Sequence, residues 1–400
     1  MAVDVALGET VRIAGTVAEF DDRTTGDATL TQMVAPMGVS CSDAGEKPLP
    51  SAGVLTLPET VDGELERFEG MRVRVDGPLT ISQNFFIGRY GQLTLAAGDR
   101  LYQPTNLARP NSAAIETIID RNARSLLILD DGLASSRCGD NPDPAPYLGG
   151  PPPAVIRAGD TISDVIGVLD YGQINAGSTG SCASQATRFA GDYRLHPTSP
   201  PAFISTNPRT DAPAEVGGDI RVASFNVLNY FNGEPRGAFP TSRGADTPEE
   251  LTRQTAKLTA AILALDADVL GLMELENDYA DGPDSAAADL VAALNAAAGS
   301  ERYAYVDPGA NVGTDEIAVG FLYKPDVITP VGPAVILDDP SFTDPNGSGQ
   351  DQNRPALAQT FTVSAEENPS TGESFTAVVN HFKSKGSDCG GAPDDDPLQG

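Results

Sequence analysis

Along the first half of the chain, apolar residues come in short strand-like runs, cut by Gly, Pro, Asn and Asp. Residues 10–17, 71–75, 93–96, 125–129 and 165–169 read as strands. No helical period is expected before about residue 245. A weak internal repeat runs through this half. Gly8-Glu9-Thr10-Val11 leads to Gly15-Thr16-Val17-Ala18-Glu19-Phe20. Gly159-Asp160-Thr161-Ile162 leads, with one extra residue, to Gly167-Val168-Leu169-Asp170-Tyr171. Leu101-Tyr102-Gln103-Pro104-Thr105 is echoed by Leu195-His196-Pro197-Thr198. Repeated small β units predict partly open barrels of the oligonucleotide/oligosaccharide-binding (OB) type. The alternative is a set of unrelated β modules with shared turn chemistry. His196 falls inside the echo and reads as a structural or surface residue.

The pattern changes after a stretch of linker composition. Pro197, Pro200, Pro201, Pro208 and Pro213 precede Gly217-Gly218. This predicts a β-rich region at 1–205, a linker at 206–218 and a second domain at 219–400. There, residues 220–225 read as a strand. Thr247-Pro248-Glu249-Glu250 is a capping box with Pro at the first helical position. Leu251, Leu258, Ile262 and Leu265 follow at helical spacing, to an end near Asp266. Residues 269–273 read as a buried strand. Residues 285–298 read as a second helix, with Leu290, Val291 and Leu294 on its apolar stripe. Strands follow at 303–306, 317–323, 356–363 and 375–379. Helices interleaved with strands, then strands in series, predict a mixed-sheet α/β layered structure, and α+β for the whole chain.

Composition narrows the classes. A chain of 400 residues is too long for one ordinary core and fits two or three domains. No apolar run approaches the ~20 residues needed to cross a membrane. Met1 is not followed by a basic segment and a long apolar core, so no signal peptide is visible. Both ends read as cut, and the chain is expected to be a fragment. The 26 basic and 56 acidic residues leave a net charge of −30. That opposes nucleic acid at long range and fits a solvated acidic surface, although a local basic cluster with bound cations can override it. Arg354, Lys383 and Lys385 are candidates for such a cluster. The four cysteines lack CxxC spacing and the histidines number two, which argues against zinc or a His-rich metal site. Cys138 and Cys182 sit in polar, Gly-containing loops of one region and are candidates for a disulfide, free buried thiols being the alternative.

Three polar residues follow apolar runs just before turns. Asn226 ends the run 220–225, Glu274 ends 269–273, and His381 follows 375–379 by one residue. Rigid strand ends hold side chains well at a site. A carboxylate holds a hard cation, an amide orients an oxygen, and an imidazole moves or donates a proton; together they suit metal-assisted attack on a phosphodiester. Read singly, Asn226 is a turn former and Glu274 a solvated loop residue, and Glu276, Asn277 or Asp278 could equally supply the carboxylate or amide. Lys383 and Lys385 beside His381 make a phosphate pocket, or a plain surface cluster. Asp315 is placed to orient the imidazole, and Arg354 to clamp a phosphate. Asp344-Pro345-Asn346-Gly347-Ser348-Gly349 begins like a calcium loop but has Pro355 where the twelfth-position Glu should stand.

Taken together these motifs resemble a known family. Ala223-Ser224-Phe225-Asn226-Val227-Leu228-Asn229-Tyr230 resembles the first signature of the endonuclease/exonuclease/phosphatase superfamily, and residues 266–278 resemble its second. Arg243-Gly244-Ala245, Arg253-Gln254, Tyr323-Lys324-Pro325 and Asn380-His381-Phe382-Lys383-Ser384-Lys385-Gly386 resemble segments of bacterial extracellular nucleases within it. The resemblance implies the first part of a four-layer α/β sandwich of deoxyribonuclease I type. It implies a metal-binding Glu274, a catalytic Asn226 and His381, and an acidic partner of that histidine near Asp315. It further implies Mg²⁺ (or Ca²⁺ or Mn²⁺), a nucleic acid substrate cut by activated water, and secretion. The superfamily's Asp-x-Asn and Ser-Asp-His motifs do not occur between His381 and Gly400, so the chain on its own is expected to be inactive or nearly so. Two other readings stand beside the nuclease: a phosphatase or phospholipid diesterase on the same fold, and a non-catalytic binding fragment. No protein partner is implied.

Overall fold

The computed structural model describes residues 8–20, 29–41, 47–133, 145–149, 154–173, 191–233, 238–339 and 353–382. The chain divides after Arg209 into two compact units.

In the first unit, β1 (Val11–Phe20) and β2 (Leu30–Cys41) form a separate antiparallel hairpin. Nine further strands make one mixed sheet: β3 (Gly53–Leu55), β4 (Arg72–Val75), β5 (Leu79–Gln83), β6 (Gln92–Ala97), β7 (Leu126–Asp130), β8 (Thr161–Ser163), β9 (Ile166–Gln173), β10 (Gly191–Pro197) and β11 (Ala202–Ile204). Their order is β11-β8-β5-β6-β7-β10-β9-β4-β3, antiparallel except for the β3–β4 and β7–β10 pairs. The central β7 is an almost unbroken apolar run because both of its faces are covered. Leu127, Ile128 and Leu129 are all buried, with no alternation between faces. Leu93, Leu95 and Leu195 pack with Leu127 and Leu129 in one core.

The expectation of no helix in this region is wrong. Two short turns, α1 (Ile87–Tyr90) and α2 (Pro104–Leu107), precede α3 (Ala113–Ser125), a full helix. Ile115, Ile118 and Ile119 do lie at helical spacing, but β-branched residues read as strand formers. Only Ile115 and Ser125 are buried in α3, so its apolar stripe is thin.

In the second unit, β12 (Val222–Tyr230), α4 (Pro248–Leu265) and β13 (Val269–Glu276) form a parallel β-α-β crossover. Thr247 caps α4 by accepting from the Glu250 amide, and the Glu250 carboxylate accepts from the Asp246 amide at 2.8 Å. α5 (Ala286–Ala298) starts on Ser285, which accepts from the Ala288 amide, and stops at left-handed Gly299. With β14 (Ala304–Tyr305) and β15 (Ile317–Tyr323) these strands make a sheet of order β12-β13-β15-β14. β16 (Ile328–Leu337), β17 (Ala356–Val363) and β18 (Ser374–Val379) make a second, antiparallel sheet. β16 is additional to the strands the sequence predicts, since Pro330 and Pro333 lie within it; it is an edge strand, where Pro is tolerated.

The two sheets meet through Phe321, Phe361 and Phe375, with ring centroids 5.9 and 5.8 Å apart along that series. Leu258 and Ile262 of α4 and Leu290 and Leu294 of α5 join the same core. The described residues of this unit therefore form a helix layer and two sheet layers. Among the described residues no helix is long and apolar enough to cross a membrane. Cys138, Cys182, Lys383, Lys385 and the calcium-like loop at 344–349 lie outside the described residues.

Candidate functional site

The strand ends of the sequence reading are not ends. β12 runs four residues past Asn226 and β13 two residues past Glu274. Both ladders break at this point instead. Asn226 pairs with Met273, and pairing resumes only at Tyr230 and Leu275. On the other side of β13, the register slips between Leu272 and Leu275. Glu274 (φ 63°), Leu228 (φ 57°) and Asn229 (φ 50°) take the left-handed conformation that fits these bulges. A bulge re-aims a side chain out of the strand's alternation, here the Glu274 carboxylate.

Neighbouring groups hold this irregular backbone. The Asn226 side-chain oxygen accepts from the Leu228 amide at 2.8 Å. Gln254 of α4 donates to the carbonyls of Val227 (3.0 Å) and Leu228 (2.7 Å). Glu276 is buried and accepts from the Asn232 amide at 2.9 Å, and Asp278 accepts from the Ala286 amide at the start of α5. These two carboxylates brace local structure.

His381 follows β18 and reaches Glu274. Its Nε2 lies 3.7 Å from Glu274 Oε1, with only 17% and 20% of the two side chains exposed. The spacing suits an electrostatic pair and is too long for a hydrogen bond. On the other side of the ring, Nδ1 lies 3.4 Å from Arg354 Nη1. A guanidinium only donates, so Nδ1 accepts and the ring proton sits on Nε2. Burial and then the Arg354 charge push the His381 pKa below the usual imidazole range, against the pull of Glu274 and Asp315. The ring is therefore neutral near pH 7.

Among the described residues, Asp315 does not bond His381 directly. Its Oδ2 accepts from Arg354 Nε at 2.9 Å and its Oδ1 from Arg243 Nη1 at 2.9 Å. Arg243 also meets Glu316 at 2.8 Å. The chain of contacts is thus Glu274, His381, Arg354, Asp315, Arg243. Sequence reasoning assigned no role to Arg243, whose signal was its place in the Arg243-Gly244-Ala245 segment. Lys324, in another such segment, belongs to a different cluster: Nζ lies 2.6 Å from Asp266 and 3.0 Å from Asp268, and braces the start of β13.

The donor set can be weighed against a metal. Both Asp315 oxygens are engaged by arginines, which leaves Glu274 as the carboxylate and Asn226, paired with Met273 on the neighbouring strand, as the amide. Among the described residues no group of three or more His, Cys, Asp or Glu is placed to hold a metal. One carboxylate and an amide fit a hard cation that keeps most of its water, as Mg²⁺ does, and do not fit an all-protein zinc cage.

No family model matches the chain, and no curated protein does. Several solved structures resemble it in part. A humanized TDP2 from D. rerio is 16% identical at a TM-score of 0.25, covering 41% of this chain and 51% of that one. The human Nocturnin catalytic domain with bound sulfate is 16% identical at 0.25, covering 42% and 50%. An endonuclease/exonuclease/phosphatase from Bacteroides vulgatus is 18% identical at 0.25, covering 41% and 52%. The chain spans about half the length of each of these structures.

Proposed function

We propose that the second unit carries a metal-dependent phosphodiesterase site of the endonuclease/exonuclease/phosphatase type, acting on DNA as a secreted bacterial nuclease. The observation that carries this reading is the Glu274–His381 approach at 3.7 Å, with the far side of the imidazole held by Arg354. A divalent cation bound there supplies positive charge to the phosphate and acidifies a water. Glu274 and the Asn226 amide hold it. His381 presents a neutral ring with its proton on Nε2, ready to give a hydrogen bond to a phosphate oxygen. Arg354, with Lys383 and Lys385, attracts the substrate phosphates and fixes their orientation. The reaction adds water across one P–O bond and releases one alcohol end and one phosphomonoester end. In the same reading, the β-rich unit is an OB-like module that binds the substrate strand.

The test combines binding with turnover. Mn²⁺ substituted for Mg²⁺ should broaden the His381 ring signals in NMR, and Glu274→Gln should remove that broadening. In the full-length protein, plasmid DNA cleavage should need a divalent cation and stop with chelator. Glu274→Gln should weaken it, and His381→Ala should lower it on the order of 10²–10⁴-fold. Full cleavage by His381→Ala, or Mn²⁺ binding unchanged by Glu274→Gln, would remove the assignment. Release of inorganic phosphate or a lipid head group without DNA cleavage would move the protein to the phosphatase or phospholipid diesterase reading.

A further inference from the structure

Asn277 makes a concentrated set of contacts with one loop. Its side-chain nitrogen donates to the carbonyls of Val312 (3.1 Å), Gly313 (3.2 Å) and Asp315 (2.9 Å). Its side-chain oxygen accepts from the Val312 amide at 2.8 Å, and its own amide donates to the Glu316 carbonyl at 3.0 Å. The loop at 312–316 therefore hangs on a residue three positions beyond Glu274. That loop supplies Asp315, which grips Arg354, and Arg354 in turn meets His381 Nδ1.

A second tie joins the same pieces. Gly313 has φ +74°, and a Cβ there would lie 2.8 Å from Pro355 Cδ and Cγ. The loop thus rests directly against the ring of the residue after Arg354, and only glycine permits the approach. Shifting the loop shifts Arg354 through both ties.

We infer that Asn277 is a positioning residue for the candidate site: it sets the 312–316 loop so that Asp315 holds Arg354 against His381 Nδ1, which keeps the imidazole in its Nε2–H form facing Glu274. The inference rests on the reading of His381 as the working imidazole. A side-chain amide suits this task because it donates and accepts at once, so one residue serves three carbonyls and an amide of a tight loop. Ala satisfies none of them, and Asp loses every donor.

The chain has two histidines, so ring ¹⁵N NMR reads His381 with His196, in the other unit, as internal reference. In the unaltered protein, His381 should show an accepting Nδ1 and a protonated Nε2. In Asn277→Ala, the Nδ1 signal should move and the second tautomer appear, with His196 unchanged. Gly313→Ala, which pushes on Pro355 from the other tie, should do the same. Arg354→Ala should give the same His381 signals, and Asn277→Ala added to it should change them little further. On bis(p-nitrophenyl) phosphate with Mg²⁺, Asn277→Ala should lower kcat on the order of 10²-fold with little change in KM, as a small misplacement does. A folded Asn277→Ala protein whose His381 signals match the unaltered ones would overturn the inference. So would loss of folding in both Asn277→Ala and Gly313→Ala, which would assign the two residues to stability alone. Altered His381 signals in a protein that hydrolyses no phosphodiester, even unaltered, would uphold the positioning role and remove the proposed function.

Discussion

Glu274 carries its carboxylate on a left-handed backbone, φ 63°, where a side chain is strained. Holding a non-glycine residue there costs about 1 kcal/mol or more. Ladder pairing with β15 at Leu272 and Leu275 on either side of the bulge holds that backbone in place. Glycine adopts the same φ freely. Glu274→Gly is therefore expected to raise the unfolding midpoint of the second unit by about 2–4 °C, while Glu274→Ala, which keeps the strain, should not. Cation binding should be lost in both. Differential scanning calorimetry checks this, and equal midpoints for Gly and Ala would show that the backbone at 274 stores no strain.

At the scale of elements, β6, β7, β9 and β10 bring polar and charged side chains together in the first unit. His196 Nε2 lies 3.0 Å from Asp170, Arg194 bonds Asp170 at 2.8 Å, and Gln92 donates to Asp130 at 2.7 Å. Burial disfavours the charged His196 ring, but the Asp170 hydrogen bond and the Asp170 and Asp130 charges outweigh it, and its pKa is raised. Burial likewise pushes Asp170 up, yet His196 and Arg194 outweigh it and leave that carboxyl low. Burial pushes Asp192 up to about 7. A raised pKa contributes stability below the unfolded value that is lost as pH climbs through the folded one. A lowered carboxyl pKa contributes stability that is lost as pH falls. Asp170 therefore protects the unit above about pH 4, Asp192 withdraws stability from about pH 4 to 7, and His196 withdraws more above about 6.5. Thermal stability of the first unit should fall steadily from mildly acidic to alkaline pH. His196→Gln should flatten that slope between about pH 6 and 8. A variant slope as steep as the original would mean that the cluster does not govern this range.

At the scale of the whole molecule, the charge of −30 sets how a polyanion approaches. Repulsion is screened by salt, since the Debye length falls to about 10 Å at 0.1 M. A nuclease steered by a basic face loses association rate as salt rises. This protein should show the reverse at low ionic strength. Its association with a short DNA duplex should speed up as NaCl rises from about 10 mM towards 0.1 M, as screening removes the repulsion. Stopped-flow fluorescence measures this, and a rate that falls monotonically with salt would show that a local basic cluster dominates the encounter.

Short-range signals determined much of the second unit from sequence alone. The Thr247 capping box, the leucine spacing of α4 and the Ser285 start of α5 act within one or two helical turns, so residues there carry their own structure. The apolar runs of β13, β15 and β17 are legible for the same reason. Tertiary structure decided what depends on distant partners. α3 is a helix although its isoleucines favour strands, because packing against β6 lies beyond local preference. β16 forms despite two prolines because it pairs with β17 on one side only. The residue types Asn226, Glu274, Asp315, Arg354 and His381 stand in the sequence, but the bulges at Asn226 and Glu274 follow from pairing mismatches on both sides of β13. Arg243 reaches Asp315 across 72 positions of chain, and Asn277 holds that loop by hydrogen bonds no spacing rule contains. Periodicity records which face a residue takes; only the folded chain decides which charges meet, because ion pairs and side-chain hydrogen bonds form between whatever groups packing brings within about 3–4 Å.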